Sequence, residues 1–134
     1  MARGFSLFEM VIVMGIIGAI LGSVIFLSKG FGDSAKLQTA NQDFTTLITH
    51  LDAYKIHARN YPTQNQGLEA LVNKPTSSPI PRSWTQTIPE VPKDPWGQTY
   101  KYKFPGSKKA NEPEITSAGA DGIWGNEDDL SSQF

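Results

Sequence analysis

The strongest constraint on this chain is an apolar run close to its amino terminus. Residues 10–28 are nineteen consecutive residues without a charge, and Val, Ile, Leu and Met are abundant among them. Together with residues 5–9, a helix over this stretch would be roughly 35 Å long, which is enough to cross a bilayer. A cleaved signal peptide is the alternative, but its apolar part is usually about 7 to 15 residues long and ends in a small-x-small site. This run is longer and lacks that ending, so the sequence predicts a membrane-spanning helix.

Charges at the two ends of the run indicate how it would lie in a membrane. Arg3 and the amino terminus precede the run, and Lys29 follows it. Because positive charge tends to stay on the cytoplasmic side, we expect a cytoplasmic amino terminus. The roughly one hundred residues after Lys29 would then lie on the other side of the membrane.

After Lys29 the apolar pattern becomes that of an amphipathic helix. Apolar residues recur at spacings of three and four, at Leu37, Ala40, Phe44, Leu47, Leu51, Tyr54 and Ala58. This stripe predicts a helix from Phe5 to about Arg59, whose second half packs on a soluble domain. Gly30 and Gly32 mark a point where the helix is expected to bend or restart. A coiled coil is the alternative, but the stripe covers only about three heptads.

The rest of the chain predicts a small antiparallel sheet. The segment GLEALVNK is typical of a short helix, with Leu68, Leu71 and Val72 on one face and Pro75 ending it. Six prolines between residues 75 and 95 then favour an extended, irregular stretch. The segments QTYKYKF and EITSAG, joined by a turn, read as two paired strands. The fold class is therefore α+β, with a long amino-terminal helix packed on a small antiparallel sheet.

Acidic residues are concentrated near the carboxyl terminus. The last twenty-two residues hold no Lys or Arg, and the segment DGIWGNEDD contains Asp121, Glu127, Asp128 and Asp129. Carboxylates this close repel one another unless a counter-ion is present. Calcium suits such a loop because it takes six to eight oxygens, including backbone carbonyls. The order of residues is not that of an EF-hand loop. Spacing alone leaves a turn followed by a solvated acidic tail as an equal alternative.

Composition and side-chain chemistry argue against several other functions. The chain has 134 residues, a net charge of −1 and no cysteine. The length suits one modest domain plus a membrane segment, and no basic field exists for nucleic acid. The lack of cysteine excludes disulfides and thiolate metal sites. His50 and His57 lie near one helix face without an acid placed to orient them, so we do not expect an enzyme.

Several motifs together resemble a known family. The stretch GFSLFE before the apolar run is similar to the class III signal of type IV pilins and type II secretion pseudopilins. Further along, YPTQNQGLEALVNKP, VPKDPWGQTYKY and SAGADG resemble the major pseudopilins of type II secretion systems in order and spacing. The first motif is shared by all pilin-like proteins, and the other three are much more specific. The resemblance covers nearly the whole chain.

The resemblance implies a processing and membrane arrangement. Residues 1–4 would be a leader that prepilin peptidase removes after Gly4, and Phe5 would become an N-methylated first residue. Residues 5–29 would form the transmembrane and assembly helix. Residues 30–134 would form a periplasmic domain with the pilin-like fold. The implied location is the bacterial inner membrane, single-pass, with assembly into a periplasmic pseudopilus.

The resemblance also implies a structural function. Subunits would assemble into a homo-oligomeric filament that assists export of folded proteins across the outer membrane. Its other partners would be minor pseudopilins and the inner-membrane assembly platform. A type IV pilin or a minor pseudopilin is the first alternative, and a membrane-anchored calcium-binding domain is the second. The motifs GLEALV and DPWG, and the lack of paired carboxyl-terminal cysteines, argue against the first.

Specific site residues follow from the same resemblance. It implies calcium binding by the side chains of Asp121, Asp128 and Asp129 and by carbonyls near Ala118 and Asn126. It also makes Glu9 the fifth residue of the mature chain, where its carboxylate would meet the Phe5 amine of a neighbouring subunit. The alternative for Glu9 is a local role at the helix amino terminus, where negative charge is favoured.

Three parts of the sequence depart from the family pattern. The leader has one basic residue, fewer than many relatives carry. Ser6 and Phe8 stand where Thr and Ile are usual. The second half of the membrane helix reads GSVIFLS, where family members often carry a proline, so unwinding there would rely on Gly22 and Ser23.

The junction between Gly4 and Phe5 gives the first testable prediction. In cells with active prepilin peptidase, we expect the mature chain to begin with a methylated Phe5. Mass spectrometry of the purified protein measures this directly. An intact Met1 in such cells would contradict the assignment.

Overall fold

The helix and strands follow the predicted order. The computed structural model describes residues 6–133, without the side chains of residues 24–31. The elements are helix α1 (Leu7–Ala58), a 3₁₀ turn (Leu68–Leu71) and strands β1 (Lys101–Lys103), β2 (Glu114–Ser117) and β3 (Leu130–Ser131). The chain divides after Lys36 into two compact units, which are described separately below.

Helix α1 begins with a capping contact made by its own first turn. The backbone N–H of Ser6 donates to Oε2 of Glu9 at 3.0 Å. This is half of a capping box, in which an acid in the first turn satisfies an amide that lacks a helical partner. The observed bounds, Leu7–Ala58, agree with the predicted helix. Phe5 lies outside the described residues.

The first unit consists of the amino-terminal part of α1. The restart expected as one possibility at Gly30 and Gly32 is wrong, because the helix assignment continues through both residues. A glycine inside a helix costs only about 1 kcal/mol, and no proline interrupts the backbone hydrogen bonds. Large apolar side chains of this unit are exposed, Leu7 by 83% and Phe8 by 72%. A search of the described residues finds no helix that combines the length and the apolar character of a membrane span.

The second unit is built on the apolar stripe of α1. Ala40, Phe44, Leu47, Leu51 and Tyr54 are all buried, as the spacing predicts. Leu37, which was expected in the same stripe, is exposed because the core begins one turn later. Ala58, at the other end, is half-buried. Ala58 nevertheless packs against the core, so the stripe is confirmed from Ala40 onwards and is shorter than predicted only at Leu37.

The sheet has three short antiparallel strands in the order β1-β2-β3. Tyr102 of β1 lies opposite Ile115 of β2, and Ser117 of β2 lies opposite Leu130 of β3. The predicted pairing of the first two strands is confirmed. Strand β3 was not predicted, because two residues give too short a pattern to distinguish from an acidic tail.

Tyrosine hydroxyls join segments around the core. Tyr100 donates to Oδ2 of Asp43 at 2.7 Å, and Tyr61 donates to Oδ1 of Asp52 at 2.6 Å. Both carboxylates belong to α1, so these bonds tie the helix to the segments that pack on it. Burial, followed by the hydrogen bond to Asp52, raises the pKa of Tyr61 to about 12. Burial also raises the pKa of Tyr102, whose hydroxyl donates to the carbonyl of Pro62 at 2.7 Å.

The segment between α1 and β1 is irregular but anchored. The short helix predicted over GLEALVNK is a single 3₁₀ turn, which buries Leu68, Ala70 and Leu71. Gly67 precedes it with a φ of 58°, a conformation that glycine adopts without strain. In the proline-rich stretch, Nε1 of Trp84 donates to the carbonyl of Ala70 at 2.8 Å. The irregular stretch predicted there is confirmed, and Ile88 and Trp84 anchor it to the core.

A candidate cation-binding loop

Residues 118–129, here called the acidic loop, connect β2 to β3. Ser117, immediately before the loop, pairs with Leu130, immediately after it. The loop is therefore closed at its base by the sheet, and it contains all five residues of the predicted calcium site. Sequence reasoning placed those residues in one loop but did not foresee that β3 closes it.

Asp128 folds the end of the loop back onto its beginning. Its Oδ2 accepts hydrogen bonds from the backbone N–H groups of Ala120 at 3.0 Å and Asp121 at 3.2 Å. Gly119 lies so close that an added Cβ would fall 2.2 Å from the Asp128 carbonyl oxygen. Its φ of 65° also favours glycine. The loop can close this tightly only because position 119 carries no side chain.

Asp121 organises the middle of the acidic loop. Its Oδ1 accepts from the backbone N–H of Ile123 at 2.8 Å, and its Oδ2 accepts from Nδ2 of Asn126 at 2.7 Å. Together with Asp128, these contacts bring three of the predicted site residues into one connected chain. Asn126 takes part here through its side-chain amide, whereas the resemblance implied its carbonyl.

Asp129 holds a polar atom without a partner. Its Oδ2 accepts from the backbone N–H of Gly125 at 2.7 Å. Its Oδ1 is buried and has no hydrogen-bond partner in the described part of the chain. A buried carboxylate oxygen is costly to leave unpaired, so this atom points to a donor or a cation that completes its surroundings.

The residues present fit a cation with oxygen ligands in part. In the described portion of the chain, no three His, Asp or Glu side chains are grouped so that they could hold a metal ion. The predicted set includes carbonyls near Ala118 and Asn126, and carbonyl oxygens are normal calcium ligands. Among the described residues the one ion pair, at 3.4 Å, joins Lys109 and Glu112, outside the loop.

One lysine contacts the acidic loop through an aromatic ring. Nζ of Lys101, on β1, lies 3.6 Å from the centroid of the Trp124 ring. A cation over an indole face is attracted by the ring rather than by a carboxylate. This contact fixes the tip of the loop against β1.

A buried aspartate ties the start of the loop to a neighbouring turn. Oδ1 of Asp94 accepts from the backbone N–H groups of Trp96 at 3.1 Å and Gln98 at 2.7 Å. Its Oδ2 accepts from the hydroxyl of Ser117, whose oxygen in turn accepts from the N–H of Gly119 at 3.2 Å. The DPWG turn is thus hydrogen-bonded through Asp94 to Ser117, the residue directly before the acidic loop. Sequence reasoning used this motif only as a family feature, although Asp followed by Pro and Gly is a turn signal.

A second buried acid fixes the strand that leaves the loop. Oε1 of Glu114 accepts from the hydroxyl of Ser131 at 2.7 Å, and its Oε2 accepts from the N–H of Ser107 at 2.8 Å. Burial alone would raise the pKa of Glu114, but the hydrogen bonds from Ser107 and Ser131, with the nearby charge of Lys103, lower it. Nothing in the sequence pattern marked this role.

Gln133 fastens the end of the described chain. Its Oε1 accepts from the backbone N–H groups of Lys108 and Lys109, both at 2.9 Å. Its Nε2 donates to the carbonyls of Lys109 at 3.1 Å and Glu112 at 3.2 Å. The turn between β1 and β2 is therefore built around this side chain, and sequence reasoning missed it.

The other predicted site residues lie elsewhere. Glu9 is at the start of α1, in the first unit. Gly4 and Phe5, the predicted cleavage and methylation residues, lie outside the described residues.

Comparison with known proteins places these features in a family. Residues 29–133 match the family described as type II secretion system (T2SS), protein G. Type II secretion system core protein G of Aeromonas hydrophila is 40% identical over 131 residues, covering 96% of this chain and 90% of the relative. The corresponding protein of Vibrio cholerae is 41% identical over 126 residues, covering 92% and 84%.

A solved structure also resembles this chain. It is the crystal structure of the major pseudopilin from the type 2 secretion system of enterohaemorrhagic Escherichia coli. The TM-score is 0.70 and the sequence identity is 40%, over 77% of this chain and 90% of that chain.

Glu114 gives a prediction about pH. Because its folded pKa is lowered, its stabilising effect should be present above its ordinary value of about 4.5 and lost as the pH falls through the folded pKa. Glu114→Gln should lower the free energy of unfolding of residues 30–134 at pH 7 by about 1–3 kcal/mol. It should also flatten the loss of stability on acidification. Denaturant unfolding between pH 7 and 3 measures both effects.

The matched control is Glu90→Gln, at an exposed position. This variant should follow the wild type across the whole pH range. An acid profile that is the same for Glu114→Gln and the wild type would contradict the assigned role.

Proposed function

The chain belongs to the protein G family of type II secretion systems, and from this premise we propose how it assembles and what its acidic loop binds. Members of this family are the major pseudopilins, so the chain is a structural subunit of the type II secretion pseudopilus. The match to protein G takes precedence over the alternatives of a type IV pilin or a minor pseudopilin. The family is one of structural subunits and not of enzymes.

The proposed membrane arrangement is a single-pass inner-membrane subunit. Prepilin peptidase removes residues 1–4, Phe5 is methylated, and residues 5–29 anchor the chain and pack in the filament. Residues 30–134 lie in the periplasm. Two features support this arrangement, the uncharged run of residues 10–28 and the preceding GFSLFE motif.

The proposed filament assists export of folded proteins across the outer membrane. Its assembly involves minor pseudopilins and an inner-membrane platform in addition to copies of this chain. The long uninterrupted helix supports a filament in which helices pack along one another.

Glu9 is proposed to have two successive roles. In the single chain its Oε2 accepts a hydrogen bond from the Ser6 amide, which is a local role at the helix amino terminus, while its Oε1 accepts no hydrogen bond from the described residues. A charged carboxylate in lipid is costly unless it is paired. The free amine of a neighbouring Phe5, created by cleavage, supplies that pairing during assembly.

The capping role and the charge-pairing role of Glu9 predict different results for Glu9→Gln. Glutamine can accept the same amide in a capping box, whereas alanine cannot. We expect Glu9→Gln to insert and be processed normally but to lose most filament formation. Glu9→Ala should lose it as well. Filament yield, measured by electron microscopy and cell fractionation, separates assembly from insertion. Normal filaments from Glu9→Gln would show that the capping contact, and not the charge, is what matters.

The acidic loop is proposed to bind calcium. Support comes from the buried, unpartnered Oδ1 of Asp129 and from two further carboxylates, those of Asp121 and Asp128, in the same closed loop. The proposed ligands are the side chains of Asp121, Asp128 and Asp129 and carbonyls near Ala118 and Asn126. Bound calcium would supply positive charge to a loop whose carboxylates otherwise meet only amides.

Calcium binding predicts a shift in thermal stability. The fragment of residues 30–134 should be stabilised by about 2.7 kcal/mol when calcium exceeds its Kd 100-fold. Chelator should therefore lower its melting temperature, measured by calorimetry. Asp129→Asn keeps the shape of the side chain and should remove most of the difference between calcium and chelator.

The control is Glu127→Gln, in the same loop but exposed and outside the proposed ligand set. It should keep the full calcium effect. A wild-type melting temperature that does not change with chelator would favour the solvated acidic tail.

A further inference from the structure

A groove with positive charge lies at the carboxyl-terminal end of α1. Its volume is about 660 Å³, and it is lined by the end of the helix and by residues 79–83. Arg59 and Arg82 line it, together with His57. Ile56 and Ile80 also line it and are 78% and 55% exposed. The groove therefore combines cationic groups with exposed aliphatic side chains.

Neither arginine of the groove forms an ion pair with a described residue. Within the described part of the chain, the single ion pair is that of Lys109 and Glu112. Arg59 also has a φ of 68° directly after α1, in the left-handed conformation that usually ends a helix with glycine. A side chain other than glycine is uncommon at such a position. The guanidinium groups are thus available to an anion from outside the chain.

The outward side of the acidic loop has the complementary character. Glu127 is exposed and takes part in no hydrogen bond or ion pair of the described residues. Close to it in sequence, Ile123 is 64% exposed and Trp124 is 36% exposed. The loop therefore exposes a carboxylate and aliphatic surface within five residues of one another in sequence, while one face of the Trp124 ring is covered by Lys101. Its charge is opposite to that of the groove.

We propose that the outward side of the acidic loop in one copy docks into the groove of the next copy. Glu127 pairs with Arg59 and Arg82, and Ile123 packs against Ile56 and Ile80. This inference rests on the proposed filament assembly and assigns one of its contacts.

A second copy of the chain fits this groove for two reasons. Each copy carries both surfaces, while the net charge of only −1 gives no general attraction between copies. The groove carries positive charge and the outward side of the loop carries negative charge. Two grooves or two loops therefore repel each other, whereas a groove attracts a loop. Contacts of this head-to-tail type do not close on themselves in the absence of a ring geometry and instead generate helical filaments.

The proposed contact does not compete with calcium. Glu127 is not among the proposed calcium ligands, and its side chain is exposed while the unpartnered oxygen of Asp129 is buried. The carboxylates of Asp121, Asp128 and Asp129 would bind calcium within the loop, and that of Glu127 remains available to the neighbouring subunit.

Cysteine cross-linking tests the contact in the assembled full-length chain. The chain has no cysteine of its own, so introduced pairs report without background. In cells that carry the secretion system, the variant with Arg82→Cys and Glu127→Cys should form a ladder of disulfide-linked multimers under oxidation. The control pair, Lys74→Cys with Glu127→Cys, uses an exposed residue that does not line the groove and should not form the ladder.

Charge reversal tests the same pair without a covalent bond. Arg82→Glu and Glu127→Arg should each reduce filament yield about tenfold, a change that corresponds to loss of one favourable charge contact. The variant carrying both changes should recover most of that yield, whereas Lys74→Glu should behave as the wild type. Melting temperatures of residues 30–134 verify that each variant folds.

The outcomes separate this contact from the proposed function. Absence of filaments from the processed wild-type chain would overturn the filament assignment itself. Normal filaments without the cross-linked ladder, or without recovery in the double reversal, would overturn the docking contact and leave the filament assignment intact. Cross-linking of Arg82→Cys to an exported protein, and not to Glu127→Cys of another copy, would likewise overturn it.

Discussion

Burial of the apolar stripe of α1 is the interaction on which the second unit depends. The sheet has strands of only three, four and two residues, and a sheet this small is not stable without packing against another element. Phe44 supplies part of that packing, with its ring centroid 5.6 Å from that of Tyr100. The acidic loop in turn depends on the sheet, because pairing of β2 with β3 closes its base. The candidate site therefore depends on the sheet, and the sheet depends on packing against the helix.

Four acidic residues of this chain differ in their electrostatic surroundings and fall into three kinds. Asp94 and Glu114 are buried and saturated with hydrogen bonds, so they fix turns and strands. Asp129 is only partly satisfied, which is the observation that supports a cation. Glu127 is exposed and forms no hydrogen bond or ion pair with the described residues, so it is available to a neighbour. A count of acidic residues would treat all four alike, whereas their surroundings assign them different roles.

Much of this architecture was readable from the sequence because it depends on periodic burial. The spacing of Leu47 and Leu51 predicted the helix face, and the alternation around Tyr102 predicted β1. What was missed depends on single contacts between segments distant in sequence. The pairing of Leu130 with Ser117 and the hydrogen bonds of Gln133 to Lys109 leave no local pattern. The ligand residues could be located in one loop, but the buried oxygen of Asp129 is a consequence of tertiary structure.

The closure of the acidic loop by two residues of β3 has a consequence for how the domain is held together. A hairpin loop of this length loses much chain entropy on closing, and the short strand returns little pairing in exchange. In exported proteins a disulfide often restrains such a loop, but this chain has no cysteine. An ion held between the two arms of the loop would act as a removable cross-link. Whether β3 is ordered would then depend on the ionic composition of the compartment and not on its redox state.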